Sequence, residues 1–234
     1  MERRRFLTAC AAVAGASQVT TLADAWAAAE PHRYPRARLV DIHGDPIVVG
    51  RLAARTNYVF NYPYTGTPCF LLDLARPIAA EQTLLRADGS AYSWSGGVGP
   101  ARSIVAYSAI CAHKLAYPTR EVSFIRFQPD RSPTSDGNVI HCCADHSVYD
   151  PSAGARVVSG PAPQPLAAIL LEYEPERGGL AAVGTVGAEQ FDDFFRKYDF
   201  KLTLEYGQGH AKQPVGETTV VRELAQYCRQ TIRC

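Results

Sequence analysis

The sequence predicts an all-β domain, an antiparallel β-sandwich or barrel, followed by a short helical tail. Strand-like segments recur along the chain, turn residues separate them, and helical periodicity is limited to the C-terminal end. The strand-like segments are residues 58–64, 69–74, 104–107, 122–127, 139–142, 168–173 and 180–184. Segments 168–173 and 180–184 flank an Arg-Gly-Gly turn, which predicts the hairpin that closes the domain.

Composition limits the classes of function. The 234 residues are 47% hydrophobic and 20% charged, which is typical of a globular protein with a real core. The formal net charge of +1 does not suggest a nucleic-acid-binding surface.

The N-terminal residues have the features of an export signal. A basic start, a short apolar run and an Ala-Trp-Ala site describe such a signal over 1–29. The Arg-Arg-x-Phe-Leu pattern beginning at Arg3 is of the twin-arginine type. The run 8–19 is shorter than the ~20 apolar residues that a membrane span requires. We therefore expect a periplasmic protein that associates with the membrane only if the signal is retained.

The remaining chain divides into three parts. Residues 30–56 are predicted to form an N-terminal arm, in which 39–42 add an edge strand. Residues 57–187 form the main domain, and 188–234 form a C-terminal extension that docks on its own domain or on a partner. Apolar residues at helical spacing over 217–232, with Thr218 or Thr219 as a cap, predict a helix there. Cys228 and Cys234 are either free thiols or a disulfide in an oxidising compartment.

Four residues are the candidate metal ligands. Cys111 and His113 stand two apart, and Cys143 and His146 stand three apart. Two thiolates and two imidazoles are the ligand set of a Rieske [2Fe–2S] centre, in which two His replace two Cys on one iron. A structural zinc site is the alternative, although zinc sites of the finger type usually pair Cys with Cys and His with His. His141 is predicted to be a hydrogen-bonded structural residue rather than a ligand.

The segment 108–166 resembles the cluster-binding segment of Rieske proteins. It shares the C-x-H and C-x-x-H pairs and the subsequent run of Tyr149-Asp150, Gly154, Gly160-Pro161-Ala162 and Leu166. Residues 58–186 further resemble the small Rieske subunit of periplasmic arsenite oxidase. The resemblance implies a Rieske-type fold with a small cluster-binding subdomain. It also implies an electron-transfer subunit, not catalytic alone, that relays single electrons between a larger molybdenum-containing subunit and a cytochrome-like acceptor.

Two departures from the family pattern bear on the reduction potential. The disulfide that joins the two cluster loops in quinol-oxidising Rieske proteins would fall at Ala116 and Asp145, so it is missing. Ser147 and Tyr149 are candidate hydrogen-bond donors to the cluster, while Asp145 adds negative charge. We therefore expect a potential in the lower or middle part of the Rieske range of about −150 to +300 mV.

Other functions receive less support. The missing disulfide and the weak membrane anchor argue against a Rieske subunit of a quinol–cytochrome c oxidoreductase. A ring-hydroxylating oxygenase would need a separate iron domain with two His and one carboxylate. His210 is the only His after Leu166, so the chain cannot contain that domain. A structural zinc-binding module is the non-redox alternative.

Overall fold

A computed structural model describes residues 30–78 and 81–234, and the predicted export signal at 1–29 lies outside these ranges. The largest sheet has eight strands in the order β14-β1-β13-β12-β6-β3-β2-β15. These strands are β1 His32–Val40, β2 Tyr58–Asn61, β3 Pro68–Asp73, β6 Ile104–Ser108, β12 Ala168–Glu174, β13 Gly179–Val186, β14 Thr218–Val220 and β15 Arg222–Glu223. Apart from the parallel β1–β14 pair, its neighbouring strands run antiparallel.

Three smaller sheets complete the β-structure. A four-stranded antiparallel sheet has the order β11-β10-β9-β8, and β4 pairs with β5 while β16 pairs in parallel with β7. Their bounds are β4 Gln82–Leu85, β5 Ala91–Trp94, β7 Val122–Ser123, β8 Ile125–Gln128, β9 Val139–Cys142, β10 Ser147–Asp150, β11 Arg156–Ser159 and β16 Gln230–Thr231. The four-stranded sheet is the small subdomain that the resemblance implied.

The core lies between the large sheet and the four-stranded sheet. Phe70 and Tyr107 from the large sheet share one buried cluster with Phe127, Ile140 and Tyr149 from the small one. Burial of such side chains contributes about 1.5–3 kcal/mol each. Because Cys111 and Cys142 belong to the same cluster, the core fixes both thiols in place.

Both α-helices of the described ranges lie in the C-terminal extension. Helix α1 spans Phe191–Tyr206 and helix α2 spans Leu224–Tyr227, and short 3-10 helices cover Val49–Arg51, Pro151–Ala153 and His210–Lys212. None of the helices in the described ranges combines the length and apolarity needed to cross a bilayer. The all-β class with a short helical tail is therefore confirmed.

Two sequence expectations about the ends of the chain are wrong in detail. Residues 217–232 do not form one helix, because β14, β15 and β16 use their backbone groups to pair with β1, β2 and β7. The N-terminal segment is not an edge strand, because β1 lies between β13 and β14. The N-terminal strand β1 and the C-terminal strands β14 and β15 thus join the main sheet, and Val221, Leu224 and Cys228 are buried on their own domain.

Candidate metal centre

Two loops at one end of the small subdomain carry the predicted ligands. The first loop, residues 109–121, joins β6 to β7, and the second loop, residues 143–146, joins β9 to β10. In the first loop the N–H of Cys111 donates to Ala116 O at 2.8 Å, and the N–H of Leu115 donates to Cys111 O at 3.0 Å. These bonds fold the first loop into a tight turn around Cys111.

The second loop is a tight turn at the end of a β-hairpin. The N–H of His146 donates to Cys142 O at 2.7 Å, and His146 adopts a φ of +59°, which non-glycine residues rarely adopt. Gly160 allows the end of β11 to lie against this turn. With its φ of +89°, a Cβ there would lie 2.4 Å from His146 O.

Cys111, Cys142 at the end of β9 and Asp145 converge at one point, and His113 lies beside Asp145. The Sγ atoms of Cys111 and Cys142 and a carboxylate oxygen of Asp145 lie within 4.8 Å of one another. Asp145 Oδ2 lies 3.3 Å from Cys111 Sγ and 3.0 Å from His113 Nδ1. Both thiols are buried and the Asp145 side chain is 3% exposed, whereas the His113 side chain is 33% exposed. The site is therefore closed on its thiol side and reaches solvent through His113.

The other two predicted ligands lie elsewhere. Cys143 forms a disulfide with Cys234, with the two Cα atoms 5.7 Å apart. His146 is exposed and belongs to a second group of close ligand atoms, with His141 and Cys234. The structure thus brings Cys111 and His113 together with Cys142 and Asp145, and it does not bring Cys143 and His146 to that point.

The structure also decides two alternatives from the sequence. Cys234 pairs with Cys143 and not with Cys228, whose thiol donates to Thr119 O at 2.8 Å. His141 is buried as expected, but neither ring nitrogen has a hydrogen-bond partner in the described ranges, so the expected hydrogen bond is absent there. Burial and the nearby His146 lower the pKa of His141, so the ring is held neutral.

Hydrogen bonds favour a thiolate at Cys111. The Cys142 thiol donates to it, and this contact, with help from Tyr149, lowers the pKa of Cys111 to about 7. The same contact with Cys111 and burial raise the pKa of Cys142. Deprotonated thiols are the form that binds metal ions.

Asp145 is an ionised carboxylate despite its burial. Burial alone would raise its pKa, but the Ser147 backbone N–H, 2.9 Å from Oδ1, and the thiols of Cys111 and Cys142 lower the pKa on balance. Oδ1 is thereby held by the backbone, while Oδ2 faces Cys111 and His113.

Ser147 and Tyr149, the predicted tuning residues, both lie beside the site. The Tyr149 hydroxyl lies 3.4 Å from Cys111 Sγ and accepts a hydrogen bond from the Ala112 N–H at 3.1 Å. Ser147 Oγ is buried and has no hydrogen-bond partner within the described residues. Because a buried hydroxyl without a partner is costly, Ser147 fits a bound group that would accept its hydrogen bond.

Residues of the C-terminal extension contact both loops, and these contacts were not predicted from the sequence. On the first loop, Gln190 donates to Ala112 O at 3.0 Å, and Phe194 of α1 packs edge-on against Tyr117 with ring centroids 4.8 Å apart. On the second loop, the Cys143–Cys234 disulfide attaches the chain end. The sequence features that pointed to this disulfide were the Cys-Cys doublet at 142–143 and Cys234.

The donor set fits iron. Thiolates suit iron–sulfur clusters, and imidazole and carboxylate are both iron ligands. The unpartnered Ser147 hydroxyl and the convergence of three donors, with His113 beside them, agree with a bound metal group.

Comparison with known proteins identifies the family. No protein-family model matches the sequence. Among solved structures, the chain is similar to the soluble domain of the Rieske protein II (soxF) from Sulfolobus acidocaldarius. The identity is 30%, the match covers 65% of this chain and 78% of that chain, and the TM-score is 0.45. The identity of 30% over 78% of that chain assigns the family. On that basis the chain belongs to the Rieske proteins.

Proposed function

We propose that this chain is an electron-transfer subunit that carries a [2Fe–2S] cluster between its two loops. The observation that carries the proposal is the convergence of Cys111, His113, Cys142 and Asp145 at one end of the subdomain. When bound, such a cluster takes up and releases one electron at a time.

The surroundings of the site suit electron relay. The two thiols belong to the packed core, which holds them in a fixed geometry. The His113 side chain is the part of the site most open to solvent, so its edge is the proposed route for electrons to and from a partner. The Asp145 carboxylate beside it makes this end of the site negative and favours a low reduction potential.

We further propose a partner and a compartment. The sequence resemblance supports a larger redox subunit of the molybdenum-containing arsenite oxidase type as one partner, and a cytochrome-like protein as the other. Disulfides persist in oxidising compartments, so the Cys143–Cys234 bond supports export to the periplasm.

The test is the metal content and EPR spectrum of the full chain, purified without air and reduced with dithionite. Two irons with acid-labile sulfide per chain and a rhombic signal from a reduced [2Fe–2S] cluster are expected. Two thiols, a carboxylate and an imidazole are also donor types that zinc accepts. Stoichiometric zinc, or no metal after anaerobic reconstitution, would therefore refute electron transfer.

A further inference from the structure

A pocket rich in arginine lies between the β8–β9 hairpin loop and residues 233–234. The charged side chains that line it are those of Arg126, Arg131, Arg233 and Asp130. Guanidinium groups bind phosphate-like oxyanions through two parallel hydrogen bonds as well as through charge. We infer that this pocket binds a doubly charged tetrahedral oxyanion. The inference goes beyond the proposed function and does not depend on the metal centre.

The Arg126 side chain is held in place by neutral groups. Its Nε donates to Ile232 O at 3.2 Å, and its Nη atoms donate to Phe127 O at 3.5 Å and to Gln128 Oε1 at 3.3 Å. These bonds use three of the five N–H donors of the guanidinium. The remaining donors are available to a ligand, and because the side chain is already ordered, binding costs little conformational entropy.

The positive charge of Arg126 has no carboxylate partner among the described residues. The nearby ion pairs are Arg55 with Asp130 at 3.3 Å and Arg131 with Asp136 at 3.6 Å, and neither includes Arg126 or Arg233. Partial burial and the like charge of Arg233 lower the pKa of Arg126. A partly buried charge beside a like charge is unfavourable unless a counter-ion joins it. An anion between the two guanidinium groups would supply that counter-ion.

The acidic side chains of the hairpin loop do not take that place. The Asp130 and Asp136 side chains are 88% and 96% exposed, so they are well solvated. Exposed ion pairs of this kind contribute only about 0–1 kcal/mol. Arg131, whose side chain is itself 82% exposed, can therefore exchange Asp136 for a ligand in the pocket.

Backbone pairing positions both walls of the pocket without the disulfide. Strand β16 pairs in parallel with β7, and the N–H of Ile232 donates to Ser123 O at 2.9 Å, which places the adjacent Arg233. On the opposite wall, the buried Gln128 side chain donates to Asp130 O at 3.4 Å. This bond folds the start of the hairpin loop back over β8. The pocket is thus formed by the chain itself before any ligand binds.

The test is a calorimetric titration of the full chain with sodium sulfate, at an ionic strength kept constant with sodium chloride. One saturable site per chain is expected, and sodium phosphate at mildly alkaline pH should bind with similar affinity. Sodium acetate should bind at least about tenfold more weakly, because it carries one charge and makes fewer charge-assisted hydrogen bonds. Acetate that binds as tightly as sulfate would overturn the inferred class of ligand.

Three variants locate the bound ion. Arg126→Gln and Arg233→Gln should each weaken sulfate binding about tenfold, because each removes a charge-assisted contact. Arg156→Gln is the matched control and should leave the affinity unchanged, because Arg156 is an exposed arginine on β11, at the opposite edge of the four-stranded sheet. Far-UV circular dichroism checks that each variant keeps its β-fold. Arg233→Gln preserves the test if loss of the Arg126 hydrogen bonds unfolds the other variant, because Arg233 is exposed.

Two outcomes would overturn the inference. One is a folded wild type that shows no saturable heat with sulfate or phosphate. The other is an affinity that is equal in Arg156→Gln and in the two pocket variants, which would mean that sulfate binds elsewhere. Neither outcome depends on the iron content of the protein, so this inference and the proposed function can fail separately.

Discussion

The two loops that meet at the site are built in different ways. The first loop closes on itself through the hydrogen bonds between Cys111, Leu115 and Ala116, so its geometry is local. The second loop has only four residues between β9 and β10, and a disulfide attaches it to the last residue of the chain, 91 positions away. The geometry of the first loop therefore follows from a local sequence motif. The geometry of the second loop also depends on Cys234, which lies far away in the sequence.

The attachment of these loops differs from the disulfide that joins the two cluster loops in quinol-oxidising Rieske proteins. A bond between the loops themselves would have involved positions 116 and 145, which hold Ala and Asp. Here α1 covers the first loop, and the disulfide secures the second loop from outside the site. Position 145 is thereby left free to face His113.

The largest expected effect comes from removing the Cys111 thiol. Cys111→Ser should reduce the iron content from two per chain to nearly none, because its thiolate is at the centre of the converging group. Cys69→Ser is the matched control, because Cys69 is a buried free cysteine in a core cluster that contains neither Cys111 nor Cys142, and its thiol donates to Tyr62 O at 3.0 Å. Iron and sulfide analysis measures both variants, and equal iron loss in both would show that the effect is not specific to the site.

Features that depend on local sequence could be predicted, whereas features that depend on distant contacts could not. The spacing of Cys111 and His113, the hairpin strands on both sides of 129–138 and the β12–β13 hairpin are local patterns, and the structure contains all three. The apolar spacing over 217–232 predicted a helix. Instead, parts of this segment form strands that pair with β1 and β2. The attachment of the second loop could not be predicted, because Cys143 bonds to a residue 91 positions away in the sequence.

Breaking the distant attachment should destabilise the protein. In the chain-entropy model, a disulfide closing a loop of this length contributes about 4.6 kcal/mol. The double variant Cys143→Ser/Cys234→Ser should lose about that much free energy of unfolding. Guanidinium denaturation followed by circular dichroism measures the loss.

Reducing agent provides the internal control for the disulfide. It should lower the denaturation midpoint of the wild type to that of the double variant, and it should not change the variant further. A double variant as stable as the untreated wild type would contradict the role of this disulfide as a clamp.

The attachment of the first loop can be weakened through α1. Phe194 is fully buried against Tyr117, so Phe194→Ala should cost about 3–4 kcal/mol in the free energy of unfolding, as large-to-small core substitutions do. Phe200 lies on the same helix and is 78% exposed, so Phe200→Ala should change stability by less than about 0.5 kcal/mol. Similar denaturation midpoints for the two variants would mean that α1 does not support the loop.

The smallest expected effect isolates one hydrogen bond at the site. The Tyr149 hydroxyl lies 3.4 Å from Cys111 Sγ, and a hydrogen bond to a ligand sulfur stabilises the reduced, more negative state. If that bond differs between the two redox states by about 1 kcal/mol, Tyr149→Phe should lower the reduction potential by about 40 mV. Protein-film voltammetry or a redox titration followed by EPR measures the shift.

The matched control for Tyr149 is another fully buried tyrosine in the same core. The Tyr107 hydroxyl donates to Pro151 O at 2.7 Å, so Tyr107→Phe also removes a buried hydrogen bond, but not one to the site. Its cost should be about 1 kcal/mol of stability with the potential unchanged. Equal potential shifts in the two variants would assign the effect to core packing, whereas a shift in Tyr149→Phe alone would show that β10 tunes the site through the thiol of the first loop.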